Sequence, residues 1–227
     1  MNLENYYVSF IDILGFSDMV RYDCQSPPGK ERYLKKLMEV HDLTTLIQSE
    51  HEGLGLVQFS DSIVVSLPYN CSKFPQFLDV VIKIQAMLFM SGILCRGGIA
   101  IGKHFMKDRF LFSDGLIEAY RLESTVAKNP RIVISDELIQ LLYPAGLMGS
   151  GIPLVHESDN VMFAHYFSKL SATDAWSMLQ IFLNGNSKAS PSVKEKIRWL
   201  IEYYNSTFPE HIMLEQPKFL GATVCAN

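Results

Sequence analysis

The chain has 227 residues, 48% of them hydrophobic and 11% aromatic, enough to bury one sizeable core, and with 19% charged residues it does not have the composition of a disordered chain. A formal net charge of −4 excludes the broad basic footprint that duplex nucleic acid requires. It leaves room for a single nucleotide, which needs only a local set of donors and a cation.

The opening MNLENYYVSFIDILGF has neither a basic n-region nor a small-residue cleavage site, so it does not read as a signal peptide. No uninterrupted apolar run reaches the roughly 18 residues needed to cross a bilayer, and a cytoplasmic location is the expectation. Cys24, Cys71, Cys95 and Cys225 show no CxxC spacing and are expected to be reduced thiols. The six histidines form no HxxxH or HxH pair, so packing is the expectation for each.

Tyr6–Ile13 reads as a strand that ends in an acid and a Leu14-Gly15-Phe16 turn opening toward a helix. A loop over Cys24–Glu31 precedes an amphipathic helix over about Glu31–Glu50, with Leu34, Leu37, Met38, His41 and Leu43 on or near one face. Two apolar runs, Leu56–Phe59 and Ile63–Leu67, flank Ser60-Asp61-Ser62 and predict a β-hairpin with a carboxylate at its turn. A helix over Phe74–Met90 leads to a strand over Ile93–Ile101 that carries Arg96-Gly97-Gly98 near its start. A turn region over His104–Asp114, a helix over Gly115–Val126 and a strand over Arg131–Ile134 follow. Ser135 then looks like the N-cap of a further helix. One or two strands fall within Pro153–Phe167, with helices from about Thr173 and over Val193–Tyr204. The order predicts an α/β sandwich, with helices on a mostly antiparallel sheet in the ferredoxin-like or palm arrangement. It reads as one domain, with a core over about 5–170 and a helical extension over about 171–227.

Asp12 interrupts a buried apolar run, which costs several kcal/mol unless the charge is paired or bound to a metal. Asp61 repeats the anomaly in FSDSIVV. Two carboxylates brought together at a sheet end repel unless a divalent cation sits between them, and oxygen ligands suit magnesium or manganese. Taken singly, Asp12 reads as well as a turn cap and Asp61 as a favoured hairpin residue.

Four segments in this order, Phe10–Ser17, Ser60-Asp61, Arg96–Gly102 and Ala119–Ser124, together carry a resemblance to class III nucleotidyl cyclases. Phe10-Ile11-Asp12-Ile13-Leu14-Gly15-Phe16-Ser17 resembles that family's first metal motif, and Ser60-Asp61 resembles its second, with serine in place of glycine. Arg96–Gly102 is similar to its R-x-G-I-x-x-G strand, and Ala119–Ser124 to its A-x-R-L-E-S helix. The resemblance implies that Asp12, Asp61 and the Ile13 carbonyl hold two divalent ions, and that the backbone of Leu14, Gly15, Phe16 and Ser17 cradles phosphates. It also implies that Arg96 contacts phosphate and that Arg121 stabilises charge on the α-phosphate. The expected assembly is a homodimer with sites at the interface, so that Arg121 comes from the partner chain. Taken alone, Arg121 reads first as an ion-pair partner of Glu118 or Glu123 on a solvated helix face, and only the surrounding motif turns the reading toward catalysis.

Where adenylate cyclases carry a base-reading lysine this chain has Val57, where they carry its aspartate partner it has residues near Phe110, and Ile117 replaces the ribose-orienting asparagine. A site built for one base rejects others, so ATP is a poor match. FSDSIVV and GLIEAYRLE resemble the stand-alone pyrimidine cyclases of bacterial anti-phage Pycsar systems, which implies UTP, or alternatively CTP, as substrate and a separate effector that reads the cyclic product. Val57, Gln58, Ser60 and Phe110 are candidate base-pocket residues, with Ser62 and Tyr120 beside them. A solvated Lys169 is favoured over one that reaches the triphosphate. A nucleotide-binding homology domain without turnover is the alternative; a diguanylate-cyclase palm is disfavoured because no G-G-[DE]-E-F turn is present.

Overall fold

The computed structural model describes residues 2–107, 110–147, 149–185 and 189–211; Cys225 lies outside them. The chain forms two compact units, Met1–Leu170 and Ser171–Asn227. The first is a mixed α/β layer structure around one eight-stranded sheet of order β2-β3-β1-β4-β6-β8-β7, with β5 paired to β4. All pairs are antiparallel except β4 with β6.

Strand β1 (Glu4–Ile13) lies centrally, between β3 (Ser62–Pro68) and β4 (Cys95–Lys107). Its alternation places Tyr7, Ser9 and Ile11 on one face and Val8, Phe10 and Asp12 on the other. Tyr7 packs its ring against Phe74 and Phe77 of α3 (Phe74–Met90), whose apolar positions are almost all buried. The opposite face receives α4 (Asp114–Thr125), which begins at Ser113, whose Oγ accepts the Leu116 N–H. Gly98 and Gly102 of β4 make this approach possible. A Cβ at Gly98 would lie 2.3 Å from the Ala119 carbonyl oxygen, and one at Gly102 would lie 2.4 Å from the Gly115 nitrogen.

Helix α1 (Phe16–Gln25) buries none of its ten residues. Asp23 near its end accepts the backbone N–H groups of Arg32, Tyr33 and Leu34, capping α2 (Tyr33–Glu50) from outside that helix. The buried residues of α2 are Val40 and Thr44, while Leu34, Met38 and Leu43 are exposed. The predicted apolar face is therefore rotated, because contact with α3 and β2 (Gly55–Phe59), rather than the densest leucine spacing, selects the inner side.

The expected turn over His104–Asp114 is instead a continuation of β4 to Lys107, paired back onto β5 (Phe110–Ser113). Strand β6 (Ile132–Ile134) leads into α5 (Asp136–Leu142), with Ser135 capping as expected. Strands β7 (Leu154–His156) and β8 (Met162–Ala164) complete the sheet. Arg131, 2% exposed, is tied to Glu157 and Asp159 and fastens the turn between them. In the second unit, α6 (Ala172–Gly185) and α7 (Pro191–Thr207) pack together, with Trp176 against Tyr204. Among the described residues no helix is long and apolar enough to cross a membrane.

Candidate active site at the end of the central strands

Asp12 stands opposite Ser62 on β3 and opposite Arg96 on β4, so the three side chains share one row and one face. The hairpin between β2 and β3 turns on Ser60 and Asp61, and Ser60 has a left-handed φ of 53°. The Ile13 N–H donates to the Asp61 carbonyl at 2.8 Å, which fixes the hairpin tip beside the end of β1. The Ser62 hydroxyl donates to Asp61 Oδ1 at 3.3 Å. Two short peptide connections thus bring both sequence-predicted aspartates to one sheet end.

Beyond Ile13 the chain turns sharply. The Leu14 N–H donates to the Leu94 carbonyl, and Gly15, with φ 78°, serves as the N-cap of α1. Left-handed backbone there suits glycine and open space surrounds it, so the chain enters the helix without a side chain over its N-terminus. The first-turn N–H groups at Phe16 and Ser17 have no partner within α1 by the geometry of any helix start.

Arg96 Nε lies 2.6 Å from Glu123 Oε1, and its N–H donates a long hydrogen bond to Asp12 Oδ2 at 3.5 Å. The Glu123 contact is an ion pair whose angles are not those of a hydrogen bond, and Oε1 makes no other bond among the described residues. Glu123 is 3% exposed, and burial raises its carboxyl above the ordinary range; Arg96 opposes the rise, and the charges of Asp12 and Asp61 add to it. Asp12 is shifted upward for the same leading reason, burial, with Arg96 opposing and Asp61 adding. Three carboxylates and one guanidinium therefore share this corner, an electrostatic deficit that favours a cation.

Among the described residues no three His, Cys, Asp or Glu side chains converge as a self-sufficient metal cage. The atoms expected to bind a metal, the Asp12 and Asp61 carboxylates and the Ile13 carbonyl, are all hard oxygens, a chemistry that suits magnesium or manganese with water in the remaining positions.

The other predicted residues separate into two groups. Val57 pairs with Val64 and lies on the Asp12 face, three residues before Ser60 at the hairpin tip. Gln58 lies on the opposite face, where its Oε1 is 2.9 Å from His41 Nδ1 of α2, so it is not gathered with Asp12. Phe110 pairs with Lys107, eleven residues along β4 from Arg96 and roughly 36 Å of strand away. Arg121 is exposed and bound twice by Glu118, at 2.7 and 2.6 Å. Residues two apart on a helix diverge by about 200°, so with Glu123 turned to Arg96, Arg121 faces away from Asp12 of its own chain. Lys169 bonds Asp79 on α3, at the other face of the sheet. Sequence reasoning missed Glu123 as a site residue, although its spacing from Gly115, Ala119 and Leu122 already placed it on the buried side of α4.

No family model matches the chain, and no curated protein does. Among solved structures it is similar to the catalytic core of a rhodopsin-guanylyl cyclase with converted specificity in complex with ATPalphaS (19% identity, TM-score 0.47, 71% of this chain and 94% of that one). It is similar to the guanylate cyclase domain of RhGC from Catenaria anguillulae in complex with GTP (18%, 0.44, 71% and 94%). A third is a class III adenylyl cyclase-like ATP-binding protein from Pseudomonas aeruginosa (13%, 0.38, 91% and 44%). These structural neighbours are class III cyclase domains or proteins named for likeness to them; likeness of this degree assigns neither substrate nor activity.

Proposed function

We propose that the chain is a metal-dependent nucleotidyl cyclase that converts UTP to 3′,5′-cyclic UMP and pyrophosphate. The observation that carries the reading is the row Ser62–Asp12–Arg96 with Asp61 latched beside it through the Ile13 N–H. Half-buried acids gathered in this way are relieved by a cation, and the helix N-terminus after Gly15 offers N–H groups to a phosphate. Asp12, Asp61 and the Ile13 carbonyl would hold magnesium or manganese, which when bound supplies charge neutralisation for the triphosphate and activation of the attacking hydroxyl.

The Leu14 N–H is taken by the Leu94 carbonyl, so of the expected Leu14–Ser17 cradle it is the N–H groups at the start of α1, at Phe16 and Ser17 after the Gly15 turn, that hold the triphosphate, and Arg96 pairs with its oxygens. The ribose 3′-hydroxyl gives up its proton to water, its oxygen attacks the α-phosphorus, the bond to the bridging oxygen breaks, and pyrophosphate leaves with the electron pair. Arg121 stabilises charge on the α-phosphate from a second copy of the chain. Its outward orientation supports that supply in trans. So do Phe59, Ile117 and Tyr120, large apolar side chains left more than half exposed. Tyr120 also stands edge-on against Phe10, on the face that carries Asp12.

Val57 in place of a base-reading lysine supports a pyrimidine over adenine. Together with the resemblance of FSDSIVV and GLIEAYRLE to Pycsar cyclases, this puts the product in anti-phage signalling, read by a separate effector. The bidentate Arg121–Glu118 pair favours one second reading, nucleotide binding without turnover, because the arginine must first leave a partner. Incubating the purified chain with each of the four NTPs and manganese separates the two. Cyclic UMP with pyrophosphate is expected; cyclic CMP would move the base assignment, cyclic AMP would refute the pyrimidine argument, and bound but unconverted nucleotide would establish the second reading.

A further inference from the structure

We propose that Glu123 is a positioning residue that holds the Arg96 guanidinium back from Asp12, so that Asp12 keeps its oxygens for a divalent cation. The inference rests on the metal-dependent reading given above and adds a residue to it. Arg96 stands between two acids: its Nε–H donates one hydrogen bond to Asp12 Oδ2 at the outer limit of 3.5 Å, while the Glu123 carboxylate stands closer, at 2.6 Å, and holds it by charge alone. Arginine and carboxylate otherwise favour close, bidentate pairing, and Asp12 lies directly across the strand pair from Arg96. An arginine drawn fully onto Asp12 would occupy the oxygens a metal needs.

Glu123 is well placed to prevent this. It is 3% exposed, while Arg96 and Asp12 keep 29% and 22% of their side chains accessible, so the anchor is buried and the groups it arranges face outward. Its helix is pressed onto β4 at Gly98, two residues from Arg96, so the distance between anchor and arginine is set by backbone packing. The anchoring oxygen has no competing hydrogen bond among the described residues.

Manganese titration of the full, nucleotide-free chain, followed by electron paramagnetic resonance of the free ion, tests the proposal. Glu123→Gln is expected to weaken manganese binding by about tenfold, the equivalent of one moderate ion pair redirected onto Asp12. Glu123→Asp keeps the charge but shortens the reach and is expected to weaken binding comparably. The double variant Arg96→Gln/Glu123→Gln is expected to return to within roughly threefold of the starting affinity. A purely structural role for Glu123 would lower the melting temperature and leave these constants alone. Wild-type affinity in either single Glu123 variant overturns the proposal while the metal reading stands. Absence of saturable manganese binding in the unsubstituted chain overturns both. Should the Glu123 variants fail to fold, Arg96→Gln alone decides. An arginine already held off Asp12 gives less than about threefold tighter binding when removed, whereas a gain of tenfold or more would show it competing with the ion and refute the anchor.

Discussion

At the scale of single residues, the chain tolerates several polar groups that water would ordinarily solvate, and each tolerance has a consequence that can be measured. Asp61 is held by its backbone carbonyl, through the Ile13 N–H, and has no cationic partner among the described residues. Asp61→Ala should therefore fold, yet lose the rise in melting temperature that manganese gives and lower turnover by about a hundredfold or more. An unchanged manganese-induced shift would remove Asp61 from the site. His104 is a different case: it is 1% exposed, its ring stacks near Tyr6, and neither ring nitrogen has a hydrogen-bond partner among the described residues. Burial depresses its pKa below the ordinary value of about 6.5. Below that ordinary value the unfolded chain takes up a proton that the folded chain refuses. Stability is thus fully present above about pH 6.5 and falls as the pH drops toward the depressed folded value, with a slope of at most about 1.4 kcal/mol per pH unit. His104→Phe should flatten this acid limb in melting curves recorded from pH 7 to 5; an unaltered slope would assign the limb to other groups.

At the scale of elements, the predictions concern how closely backbones approach. Gly98→Ala would set a methyl group against the Ala119 carbonyl, so α4 must lift from β4, at a cost of about 1–3 kcal/mol. Because α4 carries both Arg121 and Glu123, activity should fall more steeply than the melting temperature alone accounts for; parallel losses would mean that α4 keeps its place. Much of this architecture was legible beforehand. The alternation of VSFIDI, the hairpin around Asp61 and the apolar run of α3 are local patterns, and α3 spans the residues the sequence reading gave it. The extension of β4 and its return in β5 was not legible, because exposed aromatic residues and charges alternate there without the inside–outside contrast that marks a half-buried strand. The inner face of α2 was misjudged for a related reason. Its leucines outnumber the positions that tertiary contact buries, so composition and burial point in different directions. Glu123 reads from its charge as one possible solvated partner of Arg121, whereas its spacing from Ala119 and Leu122 turns it inward.

At the scale of the whole molecule, the candidate machinery is divided between surfaces that one chain does not bring together. Asp12, Asp61 and Arg96 share a sheet end, Arg121 faces away from it, and Phe110 sits at the far end of β4. A second copy is the simplest source of the missing parts. Asp61→Ala and Arg121→Ala should each be inactive alone and regain about a quarter of wild-type activity when mixed, since half of randomly paired dimers would contain one intact site of two. A mixture that stays silent, or an Arg121→Ala chain that is fully active alone, would refute the shared site.

Helix α1, which buries none of its residues, has a further consequence for how such a site is filled. A segment secured by its Gly15 entrance and by the Asp23 clasp has little packing to resist opening. An anion docked at its tip would tighten it further. Amide exchange along 16–25 should be fast in the empty protein and slow sharply when nucleotide and manganese arrive, so occupancy would be recorded as stiffness in a helix that is otherwise barely secured.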